Sequence, residues 1–137
     1  MNVDIIILAA GQGKRMQSPV PKVLQSLGGK PLLQHVVDTC SSIKKAKLHI
    51  IVGEQKKLIQ SSIRAPKSAN WIVQKKQLGT GHAVKQALPF LRANSQAVVL
   101  YGDGPLVKIS TLKKLIFDAA KNNLTLLTFE SANPKGL

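Results

Sequence analysis

Residues 3–10 read Val-Asp-Ile-Ile-Ile-Leu-Ala-Ala, and the run stops at once in Gly11-Gln12-Gly13. No other feature of the chain narrows its fold so far. A short apolar run that ends in glycines reads as a buried strand of a parallel sheet, feeding a tight turn. Glycines let backbone N–H groups come close to an oxyanion, and Lys14, Arg15 and Lys22 follow to offset its charge. The outline is that of a nucleoside triphosphate site.

Two well-known phosphate motifs do not fit this turn. A dinucleotide fingerprint requires a small residue where Met16 stands, for close helix–strand packing. A P-loop requires Ser or Thr after Gly13-Lys14, where the chain has Arg15. Beyond the turn, strand and helix patterns alternate, which predicts an α/β fold with a largely parallel sheet. Val23-Leu24 reads as a brief extended piece, and Pro31 as the start of a helix with Leu32, Leu33, Val36, Val37 and Cys40 on one face. Further strands are expected over residues 48–52, 71–73, 97–101 and 124–129. Between them the spacing predicts a helix with Leu58, Ile59 and Ile63, and one opened by Gly79-Thr80-Gly81 with Ala83, Val84, Ala87, Leu88 and Leu91 inward. Another is N-capped by Ser110 and carries Leu112, Leu115, Ile116 and Ala119.

At 137 residues the chain is expected to form one domain. It has no run of the ~18 apolar residues that a membrane span needs, and no signal-peptide pattern, so a cytoplasmic location is expected. The lone Cys40 excludes an internal disulfide and reads as a buried small hydrophobe. Twenty Lys+Arg against six Asp+Glu leave a formal charge of +14, which draws polyanions of any kind. The lysines are scattered in pairs, with only five Phe, Trp and Tyr residues to stack bases, so nucleic acid is not the expected partner.

Two further segments carry chemistry. In Gln74-x-x-Gln77-Leu78-Gly79-Thr80-Gly81-His82, paired amides can offer donor and acceptor to a base edge, and a glycine turn opening a helix leaves N–H groups free. Taken alone, the two glutamines read as solvated surface residues rather than as base readers. In Tyr101-Gly102-Asp103-Gly104-Pro105-Leu106 a carboxylate follows a strand end, where open α/β sheets bind ligands and where Mg²⁺ finds oxygen. A turn aspartate bonding its own backbone is the structural alternative. His35, His49 and His82 have no metal-ligand spacing. His82 reads as a residue that orients the glycine turn, and the other two as structural or surface residues.

Leu8-Ala9-Ala10-Gly11-x-Gly13-x-Arg15-Met16 with Pro21-Lys22, then Gln74-x-x-Gln77-Leu78-Gly79-Thr80-Gly81-His82, then Tyr101-Gly102-Asp103-x-Pro105-Leu106, occur in the order found in sugar-nucleotide pyrophosphorylases. The chain most resembles the nucleotide-binding part of the bacterial N-acetylglucosamine-1-phosphate uridylyltransferases. The resemblance implies a Rossmann-like, mostly parallel sheet of the nucleotide-diphospho-sugar transferase type. It also implies transfer of a uridylyl group from UTP to N-acetylglucosamine 1-phosphate, with Mg²⁺ as cofactor. By position, Leu8, Ala9, Ala10, Gly11 and Gly13 would hold the nucleotide, and Arg15 and Lys22 would act catalytically on the phosphates. Gln74, Gln77, Gly79 and Thr80 would read uracil, and Asp103 would bind the metal.

Lys14 and Gly104 depart from the family pattern, which has threonine and a larger apolar residue there. The resemblance places the sugar site and a second metal ligand beyond Leu137. The expectation is therefore a truncated domain, incomplete at the carboxyl end of its sheet and impaired or inactive alone. Its last strand would lack a neighbour and either shift beside residues 97–101 or, as the favoured outcome, pair with a second copy. A non-enzymatic nucleotide sensor or basic nucleic-acid-binding module is the competing reading.

Overall fold

The computed structural model describes residues 1–13, 17–121 and 124–133. Strand β1 (Asn2–Ala9) lies between two parallel neighbours, β4 (Ala46–Val52) and β6 (Ser95–Tyr101), and β5 (Asn70–Val73) pairs outside β4. Among the described residues the sheet order is β5-β4-β1-β6, with every pairing parallel. Each parallel return needs a crossover, and helices supply them: α1 (Leu32–Ser41), α2 (Lys56–Ser62) and α3 (Thr80–Ala87). Helix α4 (Ile109–Ala119) follows β6. A short hairpin, β2 (Ser26–Leu27) with β3 (Lys30–Pro31), precedes α1 and is braced by His35 Nε2, 2.8 Å from the Leu27 carbonyl oxygen.

The pleat divides the β1 run between two cores. Val3, Ile5, Ile7 and Ala9 join Leu33, Val36, Val37 and Cys40 of α1, Ile59 of α2 and Leu112 of α4. Ile6 and Ala10 join Ile51, Ile72 and the small Ala83 and Ala87 of α3. Cys40 is fully buried, and burial pushes its thiol up to about 12, so it behaves as a hydrophobe. No helix among the described residues is long and apolar enough to cross a membrane.

The expected parallel architecture holds, with local differences. Residues 22–24 form a 3₁₀ turn rather than an extended piece, because Val23 turns inward to the core while Lys22 stays at the surface. Helix α4 starts two residues earlier than the sequence suggests. Lys108 occupies the cap and Ser110 the first turn, since Val107 and Ile109 pack against the core and draw the helix start toward it. Leu88 belongs to a separate 3₁₀ turn with Pro89 and is exposed.

The expected strand over residues 124–129 does not form. That segment makes no ladder with β6 or any other described strand, and Leu124, Leu126, Leu127 and Phe129 are exposed. Pairing and burial make a strand, not propensity alone, and this segment has no ladder partner among the described residues and keeps most of its side chains exposed.

A buried polar network ties the amino-terminal half of the sheet together. Asn70 Nδ2 donates to His49 Nδ1 (3.1 Å), which leaves the ring proton on Nε2 to donate to Asp4 Oδ1 (2.9 Å). Arg92 meets the same carboxylate with its backbone N–H (3.1 Å) and Nε (3.2 Å), and its Nη2 reaches the Val3 carbonyl (2.7 Å). Asp4 and His49 are fully buried. Burial alone would raise the Asp4 carboxyl, but hydrogen bonds from His49, Ser95 and Arg92 and the Arg92 charge outweigh it and hold it at about 2.

Candidate functional site

The carboxyl ends of β1, β5 and β6 open onto one cleft of about 230 Å³. Ligands in open α/β sheets bind at such strand ends. Leu8, Ala10, Gly11, Gly13, Lys22, Gln74, Gln77, Gly79, Thr80 and Asp103 all line it. Segments far apart in the chain, and singled out separately in the sequence, therefore meet in one place. Ala9 does not join them: it lies on the other face of β1 and lines a neighbouring cleft with Gly53, Glu54 and Gln55. Arg15 lies outside the described residues.

Each side of the cleft has a local cause. Gly13 adopts φ +58°, and a Cβ there would stand 3.2 Å from Lys22 Cβ, so glycine lets the loop fold down against Lys22. Gly79 precedes α3, and with Thr80 it turns the helix amino terminus, with its unpaired N–H groups, toward the cleft. Gln74 is buried and its Nε2 donates to the Gly79 carbonyl (3.2 Å), which shapes the turn from β5 into α3. Gln77, by contrast, is exposed.

Opposite the loop, the Gly102 N–H donates to the Leu8 carbonyl (2.8 Å) and carries the β1–β6 pairing one step further. A Cβ at Gly102 would come within 3.0 Å of that oxygen and 3.2 Å of Leu33 Cδ1. Asp103 follows immediately, so this close approach fixes where its carboxylate stands. Gly104 has no such need: an added Cβ would meet only the Tyr101 carbonyl at 3.5 Å.

Lys22 Nζ and Asp103 Oδ2 form an ion pair of 2.7 Å at the cleft, and both side chains remain partly exposed. An exposed pair of this kind holds by at most about 1 kcal/mol, so an anion and a cation can exchange into it at little cost. The donor chemistry also suits Mg²⁺. Among the described residues no group of three or more His, Cys, Asp or Glu side chains converges. A single carboxylate facing a phosphate-sized loop is what Mg²⁺ uses when it shares its shell with phosphates and waters.

The sequence reading missed four contributors. Val23, Ala83 and Tyr101 line the cleft as well. Gly53 looked only like the end of a strand. A Cβ on it would stand 3.1 Å from Gln77 Nε2 and 3.2 Å from the Ala10 carbonyl, so its missing side chain makes room for the Gln77 amide. Nothing local in the sequence marks that contact.

Known proteins resemble this chain in sequence and in fold. The chain is 48% identical over 136 residues to the bifunctional protein GlmU of Nitrosomonas eutropha, an alignment that covers 99% of this chain and 30% of that protein. It therefore spans about 30% of the length of the curated relative it matches. Among solved structures, UDP-glucose pyrophosphorylase in complex with UDP-glucose superposes with a TM-score of 0.74 at 20% identity, over 90% of this chain and 55% of that one. Rv0371c of Mycobacterium tuberculosis, in complex with manganese, gives a TM-score of 0.71 at 20% identity over 88% of this chain and 60% of that one. These likenesses show the nucleotide-diphospho-sugar transferase fold. Residues 5–134 match the MobA-like NTP transferase domain, and the chain belongs to that family.

Proposed function

We propose that this chain is the UTP-binding part of a sugar-1-phosphate uridylyltransferase, with N-acetylglucosamine 1-phosphate as the acceptor. The observation that carries the proposal is the convergence of the loop at residues 10–13, the Gln74–Thr80 segment and the Lys22–Asp103 pair on one cleft. Gln74 and Gln77 face the uracil, the Ala10–Gly13 loop holds the nucleotide, and Lys22 with Arg15 meets the phosphates. Asp103 would hold Mg²⁺, which when bound would offset charge at the reacting phosphate. An oxygen of the sugar phosphate bonds to the α-phosphorus of UTP, the α–β phosphoanhydride bond breaks, and pyrophosphate leaves. The protein's share is positioning and charge compensation. The 137 residues act as a single domain that binds nucleotide.

Calorimetry with UTP, CTP and ATP tests the assignment. UTP should bind tighter than the others, because each unmatched polar group left buried costs about 1–3 kcal/mol. Gln77→Ala should reduce the preference, and Asp103→Ala should remove the Mg²⁺ dependence of binding. Equal affinity for all three nucleotides would end the uridine assignment. Binding of RNA that falls steeply with salt and ignores the base would instead favour the basic-module reading, for which the +14 charge speaks.

We also propose self-association through the outer edge of β6. That edge is unpaired among the described residues, and Val99 and Tyr101 beside it are exposed. Light scattering at micromolar concentration should report a dimer, and a monodisperse monomer would refute it.

A further inference from the structure

His82 is the third residue of α3, and its ring stands between two glutamine amides. Gln74 Nε2 lies 2.9 Å from His82 Nδ1, and Gln86 Nε2 lies 3.3 Å from His82 Nε2. A neutral imidazole has one donor nitrogen and one acceptor nitrogen, so the ring cannot accept from both amides. The shorter contact decides which nitrogen accepts: Gln74 stands at 2.9 Å, against 3.3 Å for Gln86, whose NH₂ is shared with the His82 carbonyl, also at 3.3 Å. Gln74 Nε2 is also 3.2 Å from the Gly79 carbonyl, which can only accept, so the amide group turned that way is the NH₂. Nδ1 is therefore the acceptor, and the ring proton sits on Nε2, on the Gln86 side.

This has a consequence at the cleft. Both hydrogens of the Gln74 NH₂ are taken up inside the protein, one by Gly79 and one by His82. The Oε1 atom is what remains for a ligand, and among the described residues no hydrogen bond reaches it. Gln74 is 3% exposed and lines the cleft, so a wrongly turned amide there could not be corrected by water.

We propose that His82 is a specificity-determining positioning residue: by accepting at Nδ1 it locks the Gln74 amide so that the base meets a carbonyl oxygen and not an NH₂ group. An acceptor at that position selects a pyrimidine that carries a proton on its ring nitrogen. Uracil has N3–H there, whereas cytosine presents a lone pair at N3, and two acceptors facing each other repel. The inference rests on the reading above that Gln74 faces the base.

Affinities of UTP and CTP for the full chain and for His82→Leu and His82→Asn test it. The unmodified chain should prefer UTP. His82→Leu should lower the UTP-to-CTP affinity ratio by about 5- to 10-fold, the worth of one neutral hydrogen bond. His82→Asn, whose Oδ1 can accept where Nδ1 stood, should restore the ratio to within about 2-fold of the original, an amount smaller than that bond is worth. A role confined to packing the first turn of α3 would weaken UTP and CTP alike and would not be rescued by Asn. A UTP preference that persists unchanged in His82→Leu overturns the inference and leaves the uridine reading standing. No preference in the unmodified chain overturns both. Independently, long-range ¹H–¹⁵N NMR should find the His82 proton on Nε2, and a proton on Nδ1 would overturn the inference without any nucleotide present.

Discussion

The two ends of the parallel sheet treat charge in opposite ways. At the amino-terminal half, Asp4 is fully buried and every partner is in place: His49, Arg92 and, through His49, Asn70. At the carboxyl end, Lys22 and Asp103 form one short ion pair that water still reaches. A buried carboxylate must be saturated by fixed donors, because the interior offers nothing else. A carboxylate at the cleft can keep a weak, replaceable partner and stay free to take a ligand. The first arrangement holds the strands in register; the second leaves a site.

Substitutions sharpen this contrast, and the largest effect belongs to the buried end. Asp4→Ala leaves Arg92 and His49 without their partner and should cost about 3–5 kcal/mol in urea unfolding, as removing one half of a buried pair does. If the loss were no larger than that of a surface pair, the amino-terminal network would not be the brace described here.

Acid titration probes the same group more gently. The Asp4 carboxyl is held at about 2 against an ordinary value of 3.8. Its contribution is thus fully present above 3.8 and is lost as pH falls through that window toward about 2. Asp4→Asn should therefore show a flatter loss of stability across the window than the unmodified chain, and equal slopes would contradict the depressed value.

The smallest effect on stability is expected at the cleft. Breaking the Lys22–Asp103 pair with Lys22→Met should change the unfolding free energy by no more than about 1 kcal/mol, since the pair is exposed. The same change should weaken triphosphate binding clearly, which separates a group kept for a ligand from one kept for the fold. A stability loss matching that of Asp4→Ala would erase the distinction between the two ends.

Much of this was legible before the fold was known, and for local reasons. The apolar run of residues 3–10 stops in glycines, and helix periodicity places Leu33, Val36, Val37 and Cys40 on one face; both patterns lie within a few residues of each other. Family resemblance then singled out ten residues that do line one cleft. What escaped was whatever depends on a distant neighbour. Gly53 and Gly102 matter for the atoms that approach them, Gln77 and Ala10 in one case and Leu8 and Leu33 in the other. The segment over residues 124–129 carries strand-like residues, yet it forms no ladder with any strand among the described residues.

The sequence by itself determined that helices and parallel strands alternate, where the phosphate-sized turn falls and which side chains can do chemistry. Periodicity, glycine placement and residue type are properties of short stretches. Only the tertiary structure decided the order β5-β4-β1-β6, the pairing of Lys22 with Asp103 and the capture of Asp4 by Arg92, 88 positions away. It also decided which face of the Gln74 amide is spent on Gly79 and His82. Those outcomes depend on which segments the packed core brings into hydrogen-bond range, and no short stretch of chain carries that information.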